Sequence, residues 1–149
     1  MASSSEVSCS VERVLTLLGP TSSLLVMREA LWGTRRFDQF VERLPLTEAT
    51  VAARLRHLVD VGLLTKSRYV EAGQRPREEY VLTPMGQDLM PVIIGLMQWG
   101  DQHLGSDCAP MQVIDKATGQ QVRLGYVNES GEQVPPESVL LTRAPVPAI

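Results

Sequence analysis

The spacing of apolar residues over the first 44 positions predicts three short helices. Apolar positions recur every three or four residues, and turn-forming residues interrupt them. Gly19-Pro20 and Trp32-Gly33 end the first two segments. Pro45 ends the third, because the residue before a proline is pushed out of the helical region. The predicted helices cover residues 10–18, 21–31 and 34–44.

A fourth helix is predicted to begin at Thr47, whose hydroxyl can accept a hydrogen bond from a backbone N–H of the first turn. Its apolar residues share one face, which predicts inward packing, and Gly62 ends it. The opposite face is small near the N-terminus, so it fits a DNA major groove, where methyl and hydroxyl groups meet base edges. An ordinary surface helix with a small outer face is the alternative. The inward residues are Val51, Leu55 and Leu58, and the residues expected to approach bases are Ala49, Thr50 and Ala53.

Two strands, residues 63–70 and 79–83, are predicted to follow this helix, and a polar loop joins them. Gly73 and Pro76 permit a turn, while Arg75 and Arg77 supply guanidinium groups that fit phosphates and narrow minor grooves. A charged loop that is merely solvated is the alternative. The order of helix, strand, basic loop and strand is typical of a winged helix-turn-helix, with residues 66–78 as its wing.

A long apolar helix is predicted from Pro84 to about residue 104, with Thr83 as its cap and a kink at Pro91. Its apolar surface exceeds what a small winged domain can bury against itself, so we expect a second subunit and a two-fold dimer. Packing against the C-terminal tail is the alternative. The apolar face includes Met85, Leu89, Val92, Ile93, Leu96, Trp99 and Leu104.

The two segments that flank these helices and strands have different residue patterns. Residues 1–8 are small and polar, which predicts a disordered tail, whereas residues 105–149 carry short strand-like runs punctuated by glycines. The expected fold class is α+β: a winged helix-turn-helix domain at 9–104 with a long C-terminal dimerisation helix, followed by a small β-rich appendage at 105–149.

Composition and charge narrow the function. A hydrophobic content of 44% with 21% charged residues is ordinary for a globular protein, and no apolar run approaches the roughly 20 residues that span a bilayer. The first ten residues do not resemble a signal peptide, so a cytoplasmic location is expected. The sequence shows no nucleophile–base pair, no paired carboxylates and no glycine-rich phosphate loop at a usable spacing. We therefore do not expect the protein to be an enzyme.

The charge distribution is more informative than the net charge of −3. Between Arg54 and Arg77 six basic residues face two acids, whereas from Pro84 onward three basic residues face seven acids. A basic middle and an acidic C-terminal part suit a phosphate-facing surface and a separate assembly region. The two cysteines and two histidines are scattered, so neither a metal site nor a cofactor is expected.

An ordered series of motifs between Cys9 and Leu104 resembles the HxlR family of bacterial winged helix-turn-helix regulators, which are relatives of the MarR group. The resemblance implies a homodimeric transcription factor that binds palindromic promoter DNA, with the first and last helices in the dimer interface. The matching residues are Cys9 to Arg13, Leu24-Leu25, Arg28-Glu29, Gly33, Arg36-Phe37, Ala53 to Leu55, Leu58, Gly62-Leu63, Arg75-Pro76, Tyr80, Leu82-Thr83, Gly86, Pro91 and Trp99-Gly100.

The resemblance also implies a sensing role for Cys9, because some relatives use this cysteine to sense oxidants, quinones or aldehydes. A small residue at a helix start is the alternative. The chain departs from the family pattern at Gly19 to Ser22, where the family has Gly-x-Lys-Trp, and at Glu48, which repels phosphates. Cys108 resembles a remnant of the cysteine-rich knuckle of some actinobacterial relatives, so we expect a metal-free appendage.

These patterns define two sets of candidate site residues. A second kind of switch, a small-molecule effector, is predicted to use a pocket of methionines and tryptophans, with core packing as the alternative. A winged domain used only for protein–protein contact is the alternative function. The candidate DNA-binding residues are Arg35, Arg36, Thr47, Ala49, Thr50, Ala53, Arg56, Lys66, Arg68, Arg75 and Arg77, and the candidate pocket residues are Met27, Trp32, Met85, Met97 and Trp99.

Overall fold

A computed structural model describes residues 9–105 and 111–142, and the chain divides into two compact units, Met1–Ile93 and Ile94–Ile149. The predicted disordered tail, Cys108 and residues 143–149 lie outside the described residues. The fold is α+β, as predicted. Within the described ranges, no single helix is long and apolar enough to cross a membrane; the first two helices reach that length only when joined across a bend of 81°.

The first unit contains a helix-turn-helix followed by an antiparallel hairpin. The helix that was predicted to start at Thr47 begins one residue later, with Thr47 as its cap. The helix predicted from residue 34 begins instead at Phe37. The elements are α1 (Ser10–Leu18), α2 (Thr21–Leu31), α3 (Phe37–Arg43), α4 (Glu48–Asp60), β1 (Leu64–Tyr69), β2 (Arg77–Leu82), α5 (Pro84–Gln87) and α6 (Met90–His103), of which α6 continues into the second unit.

The core of this unit lies between the helices and the base of the hairpin. The face of α4 that was predicted to point inward is fully buried there. Helix α2 and the start of β1 supply the other walls. The buried residues are Leu18, Val26, Met27, Ala30, Phe40, Leu44, Val51, Leu55, Leu58, Leu63 and Leu64.

A buried carboxylate fixes the end of α2 against α3. Glu29 is 5% exposed, and its carboxylate accepts from Arg28 Nη2 and Thr34 Oγ1, both at 3.2 Å. Arg43 Nη1 donates to the same Thr34 hydroxyl at 2.8 Å. The Thr34 backbone N–H also donates to the Glu29 carbonyl, at 3.1 Å. These bonds hold Thr34 outside the helix, which explains why α3 starts later than the apolar pattern predicts.

The single helix predicted from Pro84 to residue 104 is wrong in one respect, because two residues separate α5 from α6. Pro91 is the second residue of α6 and lies in the first turn, where a missing N–H costs no helical hydrogen bond. The predicted kink is therefore a break, located just before Pro91 rather than at it.

The second unit places the appendage against the end of α6. Gln98 Nε2 donates to the Val122 carbonyl at 3.3 Å, and the Leu124 N–H donates to Gln98 Oε1 at 3.2 Å. The Gln98 amide thus pairs with the backbone as a neighbouring strand would. A Cβ at Gly95 would lie 3.3 Å from Leu124 Cδ1, so glycine permits this close approach.

The appendage itself has less sheet than predicted. Strands β3 (Tyr126–Val127) and β4 (Gln133–Val134) pair antiparallel, and a single bridge joins Ile114 to Gln121. Residues 138–142, one of the strand-like runs of the appendage, form no strand in the structure. Side chains hold the turns: Asp115 accepts from the Thr118 hydroxyl and the Ala117 N–H, which lowers the pKa of its carboxyl.

Candidate nucleic-acid interface

The N-terminal turn of α4 is capped and faces solvent. Thr47 Oγ1 accepts from the Thr50 N–H at 3.2 Å, and the two hydroxyl oxygens lie 2.8 Å apart. Ala49 is exposed, while Thr50 and Ala53 are half-buried. This cap satisfies one of the orphan N–H groups and fixes the turn. The structure therefore presents the predicted small face as a preformed surface.

Farther along α4, Arg56 is exposed on the same side of the molecule as the hairpin base. It lines a groove of about 410 Å³ together with Ala52, Val59, Asp60, Lys66 and Tyr80. Arg54, also on α4, has no ion-pair partner among the described residues, and its Nε is buried without a hydrogen bond.

The wing is the hairpin of β1 and β2, whose register pairs Lys66 with Tyr80 and Arg68 with Glu78. Its tip is closed by a hydrogen bond of 3.0 Å from the Gln74 N–H to the Glu71 carbonyl. Arg75 and Arg77 are exposed at and beside this tip. The predicted basic loop is therefore a tight turn that displays two guanidinium groups.

Several bonds anchor the wing to the segment that precedes α3. The Tyr80 N–H donates to the Arg35 carbonyl at 2.8 Å, and Arg35 Nη1 lies 3.4 Å from Glu79 Oε1. Arg36 Nη2 lies 2.5 Å from Glu71 Oε1, and the Arg36 guanidinium stands 4.6 Å from the centroid of the Tyr69 ring. The pKa of Arg36 is raised, chiefly by its hydrogen bond to Glu71. The helix-turn-helix and the wing thus form one connected surface.

A further ion pair spans the wing itself. Lys66 Nζ lies 3.0 Å from Glu78 Oε2, and both side chains are about half exposed. The pKa of Lys66 is raised, first by the hydrogen bond to Glu78 and then by the attraction of that carboxylate, while nearby Arg56 lowers it. Lys66 is therefore protonated, and its positive charge is paired with the carboxylate of Glu78.

The seven candidate cations accordingly fall into two groups. Arg35, Arg36 and Lys66 are paired with glutamates. Among the described residues, the other four have no ion-pair partner and are exposed: Arg56, Arg68, Arg75 and Arg77.

The sequence interpretation missed Glu71, Glu78 and Glu79 as counter-charges. The signal that could have found Glu78 is the antiparallel register, because pairing Lys66 with Tyr80 places Glu78 on the diagonal position of the same face. The partners of Arg35 and Arg36 come from 44 and 35 positions away, which no local pattern indicates.

The candidate sensor Cys9 precedes α1 and is exposed with a free thiol. Its carbonyl accepts from the Arg13 N–H at 3.0 Å, while its side chain makes no capping bond. Exposure is a requirement for a reactive thiol. The sensing role stays a prediction.

The five candidate pocket residues occupy different surroundings. Met27 is fully buried in the core, and the centroid of the Trp32 ring lies 4.7 Å from the guanidinium carbon of Arg28. Met85 lines a cavity of about 390 Å³ in the first unit. Met97 and Trp99 belong to the second unit, where Trp99 is 59% exposed and packs its ring against His103. The effector pocket therefore stays a prediction, of which Met85 alone lines the 390 Å³ cavity.

Three kinds of comparison relate this chain to known proteins. The family model described as HxlR-like helix-turn-helix matches residues 17–108, which is more than half of the chain. That stretch includes α2 to α6 and the whole wing.

Among the described residues, no group of three or more histidine, cysteine, aspartate or glutamate side chains is placed to hold a metal ion.

Curated relatives in several organisms are described as HTH-type transcriptional regulators. An uncharacterized HTH-type transcriptional regulator of Mycobacterium tuberculosis (strain ATCC 25618 / H37Rv) is 45% identical over 95 residues, which are 64% of this chain and 59% of the relative. One of Synechocystis is 36% identical over 97 residues, covering 64% and 70% of the two chains. The match thus spans about three fifths of the length of the mycobacterial relative.

Solved structures extend the likeness. The crystal structure of PA1607, described as a candidate transcription factor, has a TM-score of 0.75 and 32% identity, and it covers 93% of this chain and 97% of its own. The redox regulator HypR in its reduced form has a TM-score of 0.56 and 25% identity, with 64% and 96% coverage. Because the PA1607 match covers 93% of the chain, the likeness includes the C-terminal appendage as well as the helix-turn-helix.

Proposed function

The chain belongs to the HxlR-like helix-turn-helix family of transcriptional regulators, which are not enzymes, and from this premise we propose that it binds operator DNA as a homodimer. In this proposal α4 enters the major groove and the wing lies along the flanking backbone and minor groove. A two-fold dimer would place the reading helices about one helical turn apart, which matches a palindromic operator.

The observation that carries the proposal is the surface formed by α4 and the wing in the first unit. The capped, small N-terminal turn of α4 and the unpaired arginines lie on elements that share one core and several anchoring bonds. Ala49, Thr50 and Ala53 would approach base edges, since small side chains allow close approach. Phosphate contacts would come from the four exposed, unpaired arginines: Arg56, Arg68, Arg75 and Arg77.

The dimer part of the proposal is supported by apolar stripes that the described residues of this chain leave exposed. Val92, Leu96 and Trp99 share one face of α6, and they are 47%, 54% and 59% exposed. The appendage contacts a different side of the helix, through Gly95 and Gln98. The described part of the C-terminal tail thus leaves this stripe exposed. Helix α1 carries a second exposed stripe of Val11, Val14 and Leu15.

The proposed domain organisation follows from these roles. Residues 9–104 would form the DNA-binding and dimerisation domain, and residues 105–149 would form an appendage docked on α6. The docking bonds of Gln98 attach the appendage to α6, and residues 94–104 accordingly cluster with the appendage in the second unit.

A switch at Cys9 is a further part of the proposal. HypR, a structural neighbour, is described as a redox regulator, and Cys9 of this chain is an exposed free thiol at the start of α1. If a Cys9→Ser protein loses DNA affinity on oxidation as the wild type does, Cys9 is not the sensor and a small-molecule effector becomes the stronger hypothesis.

One observation favours a second candidate function, a winged domain that only contacts other proteins. Three cations of the surface are neutralised by glutamates, and Glu48 stands exposed at the start of α4. These acids weaken non-specific attraction to DNA. Absence of DNA binding in the assay below would favour this function.

Changing Arg75 and Arg77 together to alanine is expected to weaken binding to every DNA sequence. Each phosphate contact contributes about 0.9 to the slope of log K against log salt, so the double variant should flatten the slope by up to about two units. Fluorescence anisotropy of labelled duplexes over a salt series measures this slope.

The matched control is Lys116→Ala with Arg123→Ala, which removes two positive charges from the second unit. The control should keep the wild-type slope. An unchanged slope in the Arg75 and Arg77 variant would remove the wing from the interface.

A further inference from the structure

Three cations of the candidate DNA surface are held by carboxylates of the same surface. The pairs are Arg35 with Glu79, Arg36 with Glu71 and Lys66 with Glu78, at 3.4, 2.5 and 3.0 Å. In each pair a glutamate carboxylate stands where a phosphate oxygen would be bound. A DNA backbone must therefore compete with the protein's own anions for these three cations.

The Lys66–Glu78 pair differs from the other two in what it connects. The arginine pairs join the segment before α3 to the wing, so they contribute to its attachment. Lys66 and Glu78 lie on paired strands of one hairpin whose register is set by backbone bonds. Both side chains are about half exposed, at 46% and 54%. This pair is therefore dispensable for the fold.

The surroundings of Lys66 also suit a phosphate. Lys66 and the unpaired Arg56 line the same groove between α4 and the hairpin, and Arg56 lowers the pKa of Lys66, which places the two positive charges near each other. Glu78 is paired with Lys66, and Asp60 lines the same groove. Removal of one carboxylate would leave the groove with an excess of positive charge.

We propose that Glu78 limits the DNA affinity of the protein by keeping Lys66 occupied, so that Lys66 adds no phosphate contact to the wild-type complex. This inference rests on the proposed function, because it concerns the same DNA-binding surface. Glu78 acts as a negative regulator of binding, because a Lys66 contact with DNA would break an existing ion pair and leave a free carboxylate that repels the strand.

The expected effect follows from counterion release. One added phosphate contact steepens the slope of log K against log salt by about 0.9. Between 1 M and roughly 0.15 M salt, this extra slope corresponds to about a fivefold gain in affinity. A Glu78→Gln protein should therefore bind about fivefold more tightly, with a salt slope steeper by about one unit, on operator and scrambled duplexes alike.

A double-mutant cycle tests whether the effect passes through Lys66. The proteins are the wild type, Lys66→Gln, Glu78→Gln and the double variant, and anisotropy is recorded on both duplexes over a salt series. Lys66 is the cation that Glu78 is paired with, so Glu78→Gln should leave the slope of the Lys66→Gln protein unchanged. Glu137→Gln, which removes one negative charge from the second unit, serves as the control for net charge.

Each outcome decides the inference. Tighter binding by Glu78→Gln that disappears in the Lys66→Gln background supports it. Unchanged binding by Glu78→Gln, an effect that persists without Lys66, or an equal effect from Glu137→Gln overturns it while leaving the wild type a DNA-binding protein. Failure of all four proteins to bind any duplex overturns the proposed function together with this inference.

Discussion

A Leu96→Glu protein is expected to be monomeric and to bind operator DNA about 100-fold more weakly than the wild type. Leu96 is 54% exposed at the centre of the α6 stripe, between Val92 and Trp99. In the proposed dimer this stripe is buried against the partner, and an unpaired carboxylate there would lose its hydration without compensation. Each monomer would then bind a half-site independently and lose the affinity gained by linking two binding sites. That gain is typically about 100-fold or more.

Light scattering coupled to size-exclusion chromatography measures the mass, and anisotropy measures the affinity. The matched control is Gln102→Glu, which adds the same charge to α6 on the side that faces the appendage cavity. The control should stay dimeric. A monomeric wild type, or a Leu96→Glu protein that remains a dimer, would contradict the proposed role of α6.

A Gly86→Ala protein is expected to lose about 3 kcal/mol or more of unfolding free energy, since overpacking against backbone is among the costliest substitutions. A Cβ at this position would stand 2.1 Å from the Leu63 carbonyl oxygen and 3.2 Å from Leu82 Cδ2. That carbonyl has little freedom to retreat, because it accepts from the Thr83 N–H at 3.1 Å. The Thr83 hydroxyl also donates to the Gly62 carbonyl at 2.6 Å, and Gly62 adopts a left-handed φ of 81° that other residues rarely adopt.

Urea unfolding at one fixed protein concentration measures the change in unfolding free energy. Gly125→Ala is the control, because no atom of the described residues lies within 4 Å of its Cβ position and its backbone is not left-handed. It should change the unfolding free energy by about 0.5 kcal/mol or less. A wild-type midpoint for Gly86→Ala would contradict the close packing of α5 against Leu63 and Leu82.

Local chemistry explains what the sequence predicts well. Thr47 caps α4 one residue before the helix starts, and the apolar residues Val51, Leu55 and Leu58 are all fully buried. The hairpin forms between the predicted strands, with boundaries shifted by one or two residues. Caps, helical spacing and turn residues act within a few positions, so the sequence pattern reports them directly.

The features that the sequence pattern does not predict depend on bonds between residues far apart in the chain. Helix α3 starts late because Thr34 is bonded to Glu29, and the Arg35 carbonyl is taken by the Tyr80 N–H from the wing. The appendage replaces a predicted sheet with bonds between its backbone and the Gln98 amide. The neutralised cations depend likewise on register and on partners far away in the chain, so charge counting overestimated the free positive charge of the surface.

The most direct test of the central claim, that α4 and the wing bind operator DNA, is fluorescence anisotropy with the wild-type protein. The probes are labelled DNA from upstream of the protein's own gene and a scrambled duplex of equal length, at two salt concentrations. The account predicts tighter binding to the upstream DNA and a loss of affinity on both duplexes as salt rises. Equal affinity for the two duplexes at both salt concentrations, or no binding at all, would contradict it.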